Sequence, residues 1–212
     1  SGSSDNTIKL WSIPSSSNSN SKTVPKMTSV ASFDHHEGAI SALKTHPVDN
    51  IAVSFSYDGS FSLLDLESND VTLHINDDSN NEQFQYLCGA VHPDAIMLGG
   101  GTNQGVLKIW DIRQKTVAVN LTDHSKKGLT AVDFSNNGYH VGTGDAEGVY
   151  RIWDLRKLKC LNTDTISKDY SSINSIKFDD YGSYVAVGGC GNNGSDVHIY
   201  HSKEGKLLAN LS

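Results

Sequence analysis

The chain has 212 residues, 37% of them hydrophobic and 19 of them glycine, and carries 17 basic against 24 acidic side chains for a formal charge of −7. This supplies enough apolar material for a sizeable core, while a basic set with only three arginines (Arg113, Arg151, Arg156) argues against a phosphate-tracking surface, so direct nucleic-acid binding is not expected. Three widely spaced cysteines, Cys88, Cys160 and Cys190, offer neither a disulfide framework nor a CxxC metal site and suit a reducing, intracellular compartment; no apolar run approaches the ~18–20 residues of a membrane span, and residues 1–30 lack the charged and apolar regions of a signal peptide.

In chain order, "SGSSDNTIKLWSI" (1–13) reads as a tight turn feeding a strand. Its partner strand is expected upstream, which would leave the inner edge of "IKLW" unpaired. The Ser/Asn-rich "PSSSNSNSKTVPKM" (14–27) follows as a mobile surface loop. Then "ISALKTHPVDNIAVSFSYDGSFSLLDL" (40–66) alternates apolar strands with Pro/Asp/Asn and Asp-Gly turns, and the same cues return in 84–112, 129–164 and 173–200. The third of these units, "LTAVDFSNNGYHVGTGDAEGVYRIWDLRKLKCLNTD", shows four strands: apolar strand, Asn-Asn-Gly turn, second strand, Gly/Asp/Glu turn, aromatic strand, basic turn, fourth strand. No segment sustains a helical period. Aligning "TIKLWSI", "SFSLLDL", "VLKIWDI", "VYRIWDL" and "DVHIYHS" makes Trp11, Leu64, Trp110, Trp153 and Tyr200 equivalent, at spacings of 53, 46, 43 and 47 residues. This is a repeat, with units at 1–33 (third and fourth strands only), 34–76, 77–122, 123–166 and 167–212.

A four-stranded repeat of this length, with a Gly/Asp turn before Ile-x-Leu/Ile-Trp-Asp, resembles the WD40 family, so the fold class expected is an all-β WD40 β-propeller. Counting gives half a blade plus four blades, an interior slice of a seven-bladed ring. The resemblance implies a buried structural tetrad in each blade: a His before the first strand, a Ser/Thr on the second, an Asp in the next turn and the strand Trp. It maps to Asp5 and Trp11 in the first unit, to His36 and Asp58 in the second (with Leu64 replacing Trp), and to Trp110 in the third, which has Gln104 at the Asp position and lacks the His. In the fourth it maps to His124, Thr143 and Trp153, with Glu147 at the Asp position. The physical need is that stacked blades bury polar strand ends, which must find hydrogen-bond partners.

No catalytic residue is assigned, because a His/Ser-or-Thr/Asp set that recurs in register is structural. "GCGNNG" (189–194) matches a dinucleotide loop but precedes a strand, where that site needs a helix. Adjacent His35 and His36 should point to different faces of an extended chain, as should His198 and His201, so no metal site and no cofactor are expected. "NLT" (120–122) and "NGS" (193–195) are chance matches to a glycosylation pattern, and "LRKLK" (155–159) is solvated loop charge.

Function is therefore expected on the surface loops. The face that WD40 proteins most often use would carry Asp34, His35, Asn103, Lys126, Lys127, Asp145 and Glu147, a mixed-charge surface suited to a protein or peptide. Within the class, the unit order and "FSNNGY" with "WDLRKLK" resemble the C-terminal propeller of the pre-mRNA-processing factor 19 family. That resemblance implies a nuclear partner-binding arm of a U-box ubiquitin ligase and spliceosomal scaffold with roles in DNA repair. Its partners would be spliceosomal subunits and ubiquitination substrates, and it would tetramerise through a coiled coil. Neither a U-box nor a heptad run occurs in 1–212. The alternatives are a WD40 adaptor of another complex, signalling or chromatin, without ligase activity, and an enzyme built on a propeller, which would need carboxylates or metal ligands converging in the central channel.

Overall fold

The computed structural model describes residues 1–13, 27–77, 84–166, 170–191 and 194–211. Residues 14–26 of the Ser/Asn-rich segment and the tip of "GCGNNG" (192–193) lie outside the described residues. Eighteen antiparallel strands form five sheets, and there is no helix among the described residues. A two-stranded sheet joins β1 (Ile8–Ser12) to β2 (Thr28–Phe33). Four four-stranded meanders follow in sequence order: β3 (Ile40–Thr45) to β6 (Asp70–Asn76), β7 (Tyr86–Val91) to β10 (Thr116–Leu121), β11 (Leu129–Phe134) to β14 (Lys159–Thr165), and β15 (Tyr170–Phe178) to β18 (Leu207–Leu211). The molecule is an arc of a WD40 propeller. The first strands β3, β7, β11 and β15 stand side by side at the centre, around a cavity of about 340 Å³.

The repeat dictates local geometry in every sheet. The turn between the second and third strands needs a left-handed residue, supplied by Gly59, Gly105 and Gly148; in the first sheet Asn6 takes that region with a φ of 68°. That turn folds the chain back, so Ser1 and Ser3 hydrogen-bond along β1: the amides of Lys9 and Ser3 donate to the carbonyls of Ser1 and Thr7. The inner edge of β1, expected to be bare, is thus partly paired by the residues just before it. The Asp that follows the strand aromatic caps the next turn. Asp111 Oδ1 accepts the amides of Arg113 and Gln114, Asp154 Oδ1 those of Arg156 and Lys157, and Asp65 Oδ1 those of Glu67 and Ser68. In the last sheet His201 Nδ1 accepts the amide of Glu204 instead. A β-bulge interrupts the third-to-fourth strand pairing beside the aromatic position in all five sheets, adding the local twist that a blade requires.

The core lies between neighbouring sheets. Ile8, Phe33, Ala52 and Leu64 join the first two sheets, and Phe55, Phe61, Tyr86, Leu98 and Trp110 the next two. Leu107, Leu129, Phe134, Val141 and Trp153 then Tyr150, Ile152, Ile173, Val187 and Tyr200 continue the series. Small residues make the approach possible: a Cβ on Gly89 would meet the Phe55 ring at 2.1 Å, and one on Gly99 would meet Phe134 at 2.9 Å. On the opposite rim, His46 Nε2 donates to the Ala95 carbonyl at 3.0 Å and His92 Nε2 to the Gly138 carbonyl at 3.1 Å. Each His-Pro turn is thereby stapled to the following sheet.

Candidate functional site

The sheet β11–β14 holds a complete tetrad. His124 Nδ1 donates to Asp145 Oδ2 at 3.1 Å, its Nε2 lies 2.6 Å from Thr143 Oγ1, and Trp153 Nε1 donates to the same hydroxyl at 2.9 Å. All four residues are buried. The carboxylate is that of Asp145, not Glu147. Alignment on the turn glycine puts Glu147 beside Gly148, where the side chain faces solvent and pairs with Lys127 at 3.0 Å. Asp145 closes the strand three residues before that glycine, points inward, and accepts the amides of Glu147 and Val149 on its other oxygen. Burial opposes the Asp145 charge, but bonds from His124 and those amides outweigh it and hold the carboxyl below its ordinary range. Asp145, expected on the partner face, is 1% exposed and belongs to the interior.

The other sheets solve the same problem with other side chains. In β7–β10, Trp110 Nε1 donates to Tyr86 Oη at 2.8 Å, and the Tyr86 ring occupies the space over Gly100, where a Cβ would meet it at 2.4 Å. Burial pushes the Tyr86 phenol above its ordinary value. Trp11, 38% exposed, donates to Ser1 Oγ at 2.9 Å, while Asp5 accepts the amide and hydroxyl of Thr7. In β3–β6, His36 lies between Ser60 Oγ (2.7 Å from Nδ1) and Ser54 Oγ (2.8 Å from Nε2). Asp58 Oδ2 sits 3.5 Å from Nδ1 and accepts the amides of Glu37 and Gly38. Burial works against the Asp58 charge, yet His36, Ser60 and the Glu37 amide hold its carboxyl well below the usual range. Leu64 cannot donate as Trp does, and Ser62 on the same strand bonds to His74 Nδ1 at 2.7 Å.

These contacts bring together residues that were expected to diverge. The rings of His35 and His36 are 4.4 Å apart, and His74 lies 5.4 and 5.5 Å from them. The alternation argument fails because residues 34–36 follow the end of β2 and are not in a strand, and because His74, 38 residues on, enters only through tertiary packing of β6. Both ring nitrogens of His35 are buried without a hydrogen-bond partner. Burial first, then His36 and His74, pull His35 down to about 4; burial and His36 also lower His74.

Asp34, Lys126, Lys127 and Glu147 are exposed on the loops of this rim. Asn103 is half-buried and structural, its Oδ1 accepting the Gln85 amide. The central cavity is lined by the inner strands, with Ser41, Lys44, Thr130, Asn174, Ser175 and Lys177 among its polar side chains. Cys88 and Cys160 form no disulfide, and burial pushes the Cys88 thiol up to about 12.

Serial four-stranded meanders with a His/Thr/Asp/Trp network, bulged aromatic strands and Asp-capped turns define the class: the chain belongs to the WD40 β-propeller family. Residues 27–65 match the family model described as "WD domain, G-beta repeat", and residues 77–212 match one described as "Nucleolar protein 10-like, N-terminal domain". Among individual proteins it is similar to pre-mRNA-processing factor 19. It is 33% identical over 209 residues to pre-mRNA-processing factor 19 homolog 2 of Arabidopsis thaliana, covering 99% of this chain and 36% of the relative. It is 32% identical over 210 residues to the Oryza sativa subsp. japonica protein (99% and 37%) and 33% over 204 residues to that of Bos taurus (96% and 36%). The chain spans a little over a third of the length of these curated relatives.

Proposed function

We propose that this chain is a protein-interaction scaffold, the partner-binding propeller of a pre-mRNA-processing factor 19-like protein acting in splicing in the nucleus. The observation that supports this most is identity of about a third, running through 99% of the chain, to proteins whose names describe pre-mRNA processing. In this reading the five units at 1–33, 34–76, 77–122, 123–166 and 167–212 are blades. Their exposed loops bearing Asp34, Lys126 and Lys127 receive spliceosomal subunits and, if the whole protein is a tetrameric U-box ligase with a role in DNA repair, its ubiquitination substrates. Rigidity comes from the inter-sheet cores, so the loops are presented with little ordering cost on binding.

The test is co-precipitation from nuclear extract with the whole protein carrying this chain, wild type against Lys126→Glu/Lys127→Glu. Recovery of splicing subunits by the wild type, reduced about tenfold by the charge reversal, is the expected result. Equal recovery by both would reject this face, and absence of splicing subunits from the wild-type eluate would reject the splicing role. The match of residues 77–212 to the nucleolar protein 10-like domain favours a second reading, an adaptor of a different complex without ligase activity; a recovered set dominated by other assemblies would select it.

A further inference from the structure

We propose that His35, His36 and His74 form a binding site for a divalent transition-metal ion of the zinc class. One ring nitrogen from each residue lies within 4.8 Å of the others. Three imidazoles of neutral, borderline-soft character suit zinc, copper or nickel rather than magnesium or calcium. In a tetrahedral zinc site with Zn–N near 2.0–2.1 Å the donor nitrogens stand about 3.3 Å apart, so the cluster draws in by about 1.5 Å at most.

The residues that must move can do so. His35 sits in the connection leading into β3 and has no hydrogen bond to break at either ring nitrogen. His74 lies on the outermost strand, β6, and is exposed; its Nδ1 bond to Ser62 leaves the opposite nitrogen for the metal. His36 would exchange its Nε2 contact with Ser54 for the ion while Nδ1 stays directed at Asp58 and Ser60. That gives a carboxylate–imidazole–metal relay of the kind that orients metal-bound histidines, and the fourth position is open to water.

Burying two unpaired imidazole nitrogens costs stability unless something satisfies them. A metal would occupy the lone-pair nitrogen of the neutral His35 ring, leaving a single N–H as the unpaired group. An ion here would also clamp the outer edge of the β3–β6 sheet to the segment arriving from β2, next to Asp34.

Equilibrium dialysis of the metal-free intact chain against zinc at pH 7.5 tests the proposal, with cobalt as a spectroscopic probe of coordination. The expected result is one tightly held ion per chain, strong visible absorption of four-coordinate cobalt, and no retention of magnesium. His74→Ala, which leaves the Asp58–His36–Ser54 contacts in place, and His35→Asn should each weaken zinc binding by about tenfold or more, whereas His201→Ala should leave it unchanged. His74→Ala with wild-type circular dichroism keeps the comparison decisive should His35→Asn fail to fold. Failure of the wild type to retain zinc, or retention undiminished by His74→Ala, would overturn the site.

Discussion

Replacing Thr143 with valine keeps the shape of the side chain and deletes one oxygen, and that oxygen is the hub of the tetrad. It accepts the indole N–H of Trp153 at 2.9 Å and pairs with His124 Nε2 at 2.6 Å, in a residue 0% exposed. Neither orphaned group can reach water, because Trp153 and His124 are 3% and 7% exposed. Each buried polar group left without a partner costs about 1–3 kcal/mol, so Thr143→Val should destabilise by about 3 kcal/mol, a large share of the roughly 5–15 kcal/mol typical of a folded domain. Equilibrium unfolding in urea followed by tryptophan fluorescence reads this as a lowered midpoint at unchanged slope. Trp153→Phe removes the indole donor itself, so the double variant should be milder than the sum of the singles by about 1 kcal/mol. Glu147→Ala should leave the midpoint where it is, because that side chain is on the surface. A Thr143→Val midpoint equal to wild type, or a larger loss from Glu147→Ala than from Thr143→Val, would refute the assignment of the network.

Two other perturbations address packing and charge. Gly89→Ala places a methyl group 2.1 Å from the ring of Phe55, which is itself 0% exposed and held by Phe61 and Tyr86; thermal unfolding should show a loss of about 1–3 kcal/mol or more, and a neutral outcome would mean that the sheets can slide apart there. His35 takes up a proton near 6.5 when unfolded but only near 4 when folded. Stability is therefore insensitive to this ring above pH 6.5, falls as the pH drops from 6.5 to 4, and then levels. The limit is about 3 kcal/mol, and roughly half of that once solvent screening of a partly exposed ring is allowed for. His35→Asn should flatten that segment of the metal-free pH–stability curve. Asp58 and Asp145, whose carboxyls are held low when folded, contribute stability above about pH 4 and lose it only in more acid solution, so the two windows separate.

The repeat was legible from residues alone because a propeller blade is a local object. Its strands pair with their sequence neighbours, its turns need a left-handed residue at a fixed offset, and its aromatic strand recurs every 43–53 residues. Hence Trp11, Leu64, Trp110, Trp153 and Tyr200 could be aligned, and His124 and Thr143 could be named as partners, before any coordinates. What that alignment could not supply was direction. Glu147 and Asp145 sit two residues apart in "GDAEG", and only the path of the turn decides which carboxylate faces His124. Tyr86, which takes the place of a missing tetrad member, carries no signal of its own, because a substitute is recognisable only once the space it fills is known. One cue was available: Gly100 stands where the equivalent strand has Thr143, an unfilled volume that invites a large side chain from a neighbouring strand.

Sequence by itself determined the class of fold, the order of the strands and the register of the repeat, since all three follow from periodic patterns of apolar residues and turns within about fifty residues. Tertiary structure decided where the histidines meet. His35 and His36 lead into the innermost strand of one sheet and His74 lies on its outermost strand. Their convergence depends on the twist that bulges impose and on the angle at which the chain crosses from β2, quantities set by packing between sheets rather than by any spacing along the chain.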